Sequence, residues 1–321
     1  MIIDKYFNDF EDTVAYLKSV PYDVTRKELY GASSLYAGYD VDDASTIETC
    51  HDTLVYQHYL QTGKQANSVN ESLARTLHDH GMHQALARFF NTHVPIRCVG
   101  IMGGHSLLRT DTMFEAIAHI SKRLTEDGFY MLSGGGPGAM ESTHLGAWMA
   151  GQSDADLSEA VHMLSSAPCF RDEGWLETAF RVMQRYPQST YDSLGIPTWL
   201  YGHEPSTPFA THIAKFFENS IREDSILTLA FGGIIYTPGS AGTLQEIFQD
   251  AVQNHYLSFG FASPMVFLGK DFWTKEVPIY PLLEDMMARG KYKNLLLTLT
   301  DDEDEVVGAL KDFQEMTSKK D

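Results

Sequence analysis

The stretch Gly232–Glu246, GGIIYTPGSAGTLQE, joins an apolar run to a glycine-rich loop and then to a helix-like pattern. Gly233 to Tyr236 reads as a buried strand, Pro238 to Thr243 as a tight turn, and Thr243 to about Tyr256 as a helix. Glycines in such a turn let the backbone bend sharply and approach a ligand closely. The helix start leaves backbone N–H groups unpaired at the positive end of the dipole, which suits a phosphate. Gly239, Ser240, Gly242 and Thr243 are therefore candidate phosphate-binding residues. A plain strand-to-helix turn with no ligand is the competing reading, and this loop alone does not separate the two.

The same grammar occurs twice upstream. Ile96 to Met102 (IRCVGIM) reads as a buried strand ending in Gly103-Gly104-His105-Ser106, with an amphipathic helix from Asp111 to Thr125. Phe129 to Leu132 reads as a second strand, leading into Gly134-Gly135-Gly136-Pro137-Gly138 and a helix from Ala139 to Ala150. Repetition of strand, glycine loop and helix predicts an α/β fold: a Rossmann-like, doubly wound parallel sheet with helices on both faces. Right-handed crossovers bring the loops to one edge of the sheet. Gly103, Ser106, Gly134, Gly135, Gly136 and Gly138 thus join the candidate nucleotide-binding set. Neither a dinucleotide fingerprint nor a P-loop is present, and three short glycine loops suit a mononucleotide better than a dinucleotide.

Residues 1–92 differ in texture: few glycines, few strand-like runs, and helical spacing through Glu71–Phe90. They read as a mostly helical N-terminal extension, with a junction at Asn91–Pro95. Residues 93–321 read as the nucleotide-binding domain, with an insertion at about 151–195, in which Leu157–Leu164 is either a strand or a short helix. Ile196–Tyr201 and Pro264–Leu268 read as strands; about Pro208–Leu229, Ile279–Arg289 and Asp301–Glu315 read as helices.

Two charged residues frame the opening loop. Glu246 falls in the first turn of its helix, where a side chain leans back over the loop. A carboxylate beside a phosphate repels it, unless the pocket must stabilise a developing positive charge such as an oxocarbenium-like ribose. The alternative is a helix cap on a solvated face shared with Asp250 and Asn254, and by spacing the two readings stand level. Arg222, on the preceding helix with Lys215 and Asn219 along one face, is placed to hold Glu246 ionised and to fork onto ligand oxygens. Its alternative is a surface pair with Glu218 at i−4.

Composition narrows the partners. The 321 residues carry 24 Lys+Arg against 43 Asp+Glu, a net charge of −19, which disfavours nucleic acid and anionic membrane. Three cysteines without a CxxC pair predict a reducing, cytoplasmic setting. The N-terminal MIIDKYFNDFED lacks the features of a signal peptide, and no apolar stretch is long enough to span a bilayer. His78, His80 and His83 lack metal-ligand spacing and read as polar helix surface, so no metal is expected. Cys98 reads as core, and Trp199, Phe216 and Phe217 as core or dimer contacts rather than a base-stacking platform.

Together, PGSAGTLQE (Pro238–Glu246) and GGGPGAM (Gly134–Met140) resemble the PGGxGTxxE signature and glycine-triplet loop of the Lonely Guy family of phosphoribohydrolases. Departures are Ser240 at the second signature glycine and Ile221-Arg222-Glu223 where that family has a Met-x-x-Arg-Lys context. The resemblance implies hydrolysis of the N-glycosidic bond of a nucleoside 5′-monophosphate to free base and ribose 5-phosphate. It implies Arg222 and Glu246 as the catalytic pair, no cofactor, and a homodimer or higher homo-oligomer. Glu141, Asp224 and His105 are candidates for protonating the leaving base. The alternative function is a non-catalytic nucleotide-binding sensor or regulatory protein built on the same pocket.

Overall fold

Seven short runs, most of them apolar, form one sheet. They are β1 (Cys98–Met102), β2 (Tyr130–Ser133), β3 (Ser193–Gly195), β4 (His212–Ile213), β5 (Gly233–Tyr236), β6 (Pro264–Leu268) and β7 (Leu296–Thr300). The order is β4-β3-β2-β1-β5-β6-β7, with every neighbouring pair parallel. The computed structural model describes residues 10–91, 97–187 and 190–318; the expected junction at 92–95 and the first nine residues lie outside them.

Helices α1 (Phe10–Ser19), α2 (Ala32–Leu35), α3 (His51–Gln61) and α4 (Val69–Phe90) precede the sheet. Within and after it come α5 (Thr112–Glu126), α6 (Ala139–Trp148), α7 (Asp154–Leu164), α8 (Trp175–Arg185), α9 (Asn219–Leu229), α10 (Ala241–Tyr256), α11 (Ile279–Ala288) and α12 (Glu303–Ser318). The fold is therefore the Rossmann-like parallel sheet, covered by helices on both faces, with a helical N-terminal segment.

Side chains alternate across the strands and divide the core in two. Ile234, Tyr236, Met265 and Phe267 enter one cluster, while Ile235, Val266 and Leu268 enter the other with Ile117, Ile120 and Leu124 of α5 and Val306 and Leu310 of α12. The first cluster continues into the N-terminal segment through Tyr30, Leu35, Val55 and Tyr59. That segment is bound at the β4 side. Tyr30 and Ile213 exchange backbone hydrogen bonds of 2.8 Å, and Asp52 accepts from buried Lys215 at 2.6 Å and from Trp199 Nε1 at 3.1 Å.

Several expected elements are corrected. Ile196–Tyr201 is not a strand; the strand ends at Gly195, Pro197 has no N–H for a ladder, and Trp199–Tyr201 forms a 3₁₀ turn. The helix expected from Pro208 begins only at Asn219, where the Glu218 carboxylate accepts from Ser220 N. The residues before it hold β4 and a run in which Phe209, Ala210, Ile213, Ala214 and Phe216 are all buried, leaving no amphipathic period to read. Lys215 is consequently not on the helix face of Arg222. Leu157–Leu164 is helical, opened by a capping box between Ser153 and Asp156, and α8 follows where the sequence suggested little regularity. His78 is fully buried rather than on a polar surface, bonding Tyr30 Oη at 2.9 Å and Asp79 at 3.0 Å.

Candidate functional site

The strand order reverses at β1: β2, β3 and β4 follow on one side and β5, β6 and β7 on the other. A crevice outside the strand ends at such a switch point is where open α/β sheets bind ligands. Here the three glycine loops meet. Gly104 N donates to Pro238 O at 3.0 Å, Ala139 N to Gly104 O at 3.2 Å and Thr237 N to Met102 O at 2.9 Å. Gly138 has φ of +70°, and a Cβ there would run into the Gly104 carbonyl and His105, so only glycine allows the second loop to lie against the first.

Ser240 is the N-cap of α10, in extended conformation, and its side chain makes no capping hydrogen bond. The helix starts at Ala241, so Glu246 lies in the second turn and not the first. The face expected to be solvated is buried. Asp250 accepts from Tyr236 Oη at 2.7 Å, and Asn254 bonds Ser263 in both directions. Arg222 does not pair with Glu218. Its Nε donates to Ile196 O at 2.9 Å, its Nη1 stands 3.6 Å from Glu246 Oε1, and its other amino group packs on Gly134, where a Cβ would collide with it. Burial pushes the Glu246 carboxyl up to about 7, with Arg222 drawing it down and Glu223 pushing it further up. Burial also raises Asp250 to about 7, against the hydrogen bond from Tyr236.

These elements enclose a cavity of about 220 Å³. Of the expected residues, Gly103, Gly134, Ser240, Gly242, Thr243, Arg222 and Glu246 line it. Gly135, Gly136 and Gly239 lie behind that lining, packed against Pro197, Met140 and Thr243. Ser106 and Gly138 belong to an adjoining cleft beside Trp175. Glu141 is fully buried and held by Arg109, whose guanidinium also donates to the carbonyls of Leu164, Ala167 and Trp175. It is not free to act on a ligand. Asp224 is bonded by Gln249 and faces the other side of α9, whereas His105 does line the cavity. Ile101, Met102, Gly104, Met140, Tyr201, Glu204 and Glu223 complete the lining and were not among the expected binding residues. Glu223 carried a signal as the neighbour of Arg222, and Gly104 and Met140 as parts of the glycine-loop motifs.

A larger cavity, about 880 Å³, lies between α4 and α9, among Lys64, His80, His83 and Asp224. The start of α9, at Glu218 and Ser220, lines it, but none of the described glycine loops does. Among the described residues there is no group of His, Cys, Asp and Glu suited to a metal ion, and no helix is long and apolar enough to cross a membrane.

No family model matches the chain, and no curated protein matches it. Among solved structures, it is similar to a molybdenum cofactor binding protein from the phototrophic bacterium Rippkaea orientalis. The identity is 14%, over 67% of this chain and 96% of that one, with a TM-score of 0.40. It is also similar to a molybdenum cofactor carrier protein from Chlamydomonas reinhardtii at 15% identity, over 68% and 98% of the two chains, with a TM-score of 0.40. The resemblance to the Lonely Guy family is corrected accordingly: the two short motifs do not extend into a match with any family model or curated protein. The phosphoribohydrolase activity that it implied is withdrawn with it.

Proposed function

We propose that the crevice binds a small phosphate-bearing ligand, a nucleotide or an organic cofactor, and that the protein holds this ligand without cleaving it. The observation that carries this is the uncapped start of α10, where Ser240, Gly242 and Thr243 line the cavity at the switch point of the sheet. The first backbone N–H groups of a helix, with its dipole behind them, take up an anion despite a net charge of −19 elsewhere. Two features support holding over turnover. Glu246 is buried and drawn toward its neutral form, which weakens it as a stabiliser of positive charge and leaves it able to donate a hydrogen bond. Glu141 and Asp224 are engaged elsewhere.

The test is calorimetry with nucleoside 5′-phosphates and, because it appears in the descriptions of the two similar structures, molybdenum cofactor. Ser240→Glu sets a carboxylate at the proposed phosphate position and is expected to abolish binding without unfolding the chain. Recovery of intact ligand by chromatography is expected; release of free base would overturn the holding role. Three cysteines, an odd count without a CxxC pair, support a reducing compartment, the cytoplasm. Self-association is carried over as part of the proposal, to be measured by light scattering.

A further inference from the structure

Two chemically different groups of residues line the cavity. Ser240, Gly242 and Thr243 belong to the start of α10, whereas His105, Tyr201 and Glu204 come from the loops after β1 and β3. Three carboxylates line the cavity. Glu223 accepts from Asn219 Nδ2 at 2.7 Å and from Gln245 Nε2 at 2.6 Å, and Glu246 faces Arg222. Glu204 differs. Its side chain is only 14% exposed, yet among the described residues no N–H or O–H donates to either carboxylate oxygen. His105 Nε2 and His203 Nε2 stand 3.8 and 3.7 Å from Oε1, beyond hydrogen-bond distance. The backbone N–H of Glu204 donates to Tyr201 O at 2.8 Å, so the two residues are fixed in one turn. Tyr201 is 43% exposed and lines the same cavity.

A largely covered carboxylate with both acceptors open, beside an exposed aromatic ring, matches a planar ligand whose edge offers two adjacent N–H donors. Resting on the phosphate-site reading above, we propose that Glu204 is a specificity-determining residue that selects a guanine-type ring, one bearing an N–H next to an exocyclic amino group, with Tyr201 as its stacking surface. A carboxylate accepts two parallel N–H groups in a fork, as it does from a guanidinium. Guanine supplies both donors. Hypoxanthine supplies one. Adenine sets a ring lone pair against one oxygen, and uracil flanks its single N–H with carbonyl oxygens. Stacking on Tyr201 tolerates all of them, because every base has a π-face.

The experiment is calorimetry on the intact chain with GMP, IMP, AMP, UMP and ribose 5-phosphate. GMP is expected to bind about tenfold more tightly than IMP, the value of one charge-assisted hydrogen bond, and IMP more tightly than AMP or UMP. Glu204→Gln replaces two acceptors with an acceptor and a donor. It should erase the preference for GMP over IMP while leaving ribose 5-phosphate unchanged. N1-methyl-GMP, which has lost one donor of the edge, reads the same contact without any substitution and should bind no better than IMP. Equal binding of GMP and IMP, or a preference that survives Glu204→Gln, overturns the role of Glu204 and leaves the phosphate site standing. Failure of every phosphate, ribose 5-phosphate included, overturns both.

Discussion

Glu246 stands 3.6 Å from Arg222 and still keeps a pKa of about 7, because removal from water outweighs the guanidinium's pull. Asp250, one turn on, shares the value and the cause. For both groups the folded state holds its proton more firmly than the unfolded chain does. Their contribution to stability is therefore fully present below the ordinary carboxyl values of 4.5 and 3.8 and is lost as pH rises through about 7. Asp250→Asn should reduce the loss of stability between pH 5 and pH 8 by on the order of 1–3 kcal/mol, measured by urea unfolding at both values. A second consequence belongs to the proposed ligand. An ionised Glu246 repels phosphate, so affinity for ribose 5-phosphate should fall across pH 6–8 more steeply in the unaltered protein than in Glu246→Gln. Parallel pH profiles in calorimetry would remove that role. At this scale the sequence was informative where chemistry is local: the glycines, Ser240, Thr243, Arg222 and Glu246 were legible because a loop at a helix start has a composition of its own. Tyr201 and Glu204 were not, since only the turn around Pro197 and Trp199 brings them to the crevice.

Helix α9 depends on its neighbours for its start. The Asp79 carboxylate, on α4, accepts from Phe217 N at 3.0 and 3.1 Å and from Glu218 N at 2.9 Å, while His78 beside it bonds Tyr30. Asp79→Ala strands two backbone donors and should destabilise the protein by about 2 kcal/mol, read from thermal or urea unfolding. Because Arg222 lies one turn into α9, the same variant should weaken ligand affinity, whereas Asp79→Asn, which retains an acceptor, should recover part of both. Strands β1, β2, β5 and β6 could be read from sequence because they are buried on both faces and appear as unbroken apolar runs. Strands β3 and β4 are three and two residues long, and β7 is half-exposed at an edge, so none has a length or period that distinguishes it from loop.

The N-terminal segment and the sheet share one hydrophobic cluster, running from Val20 and Tyr22 through Trp199 and Phe217 to Trp273 and Leu283. The buried Lys215–Asp52 pair crosses the same boundary. Removal of either partner would leave an uncompensated buried charge, a loss of about 3–5 kcal/mol. We expect one cooperative transition for the whole chain, with circular dichroism and the fluorescence of Trp199 and its neighbours changing together in urea. Two separated transitions would assign residues 10–91 a stability of their own. From composition the segment read as an extension. Its burial against β4 was not legible, because the contacts link residues far apart in the chain and leave no local mark.

That separation governs how the protein is made. Tyr30 meets Ile213, and Asp52 meets Lys215, across more than half of the chain. On a ribosome adding about 5–20 residues each second, α1 to α4 emerge on the order of ten seconds before the surface they cover exists. Through that interval Tyr22, Leu35, Val55 and Tyr59 have no partner from the sheet, and the nascent segment is a natural client for a chaperone that masks apolar helices.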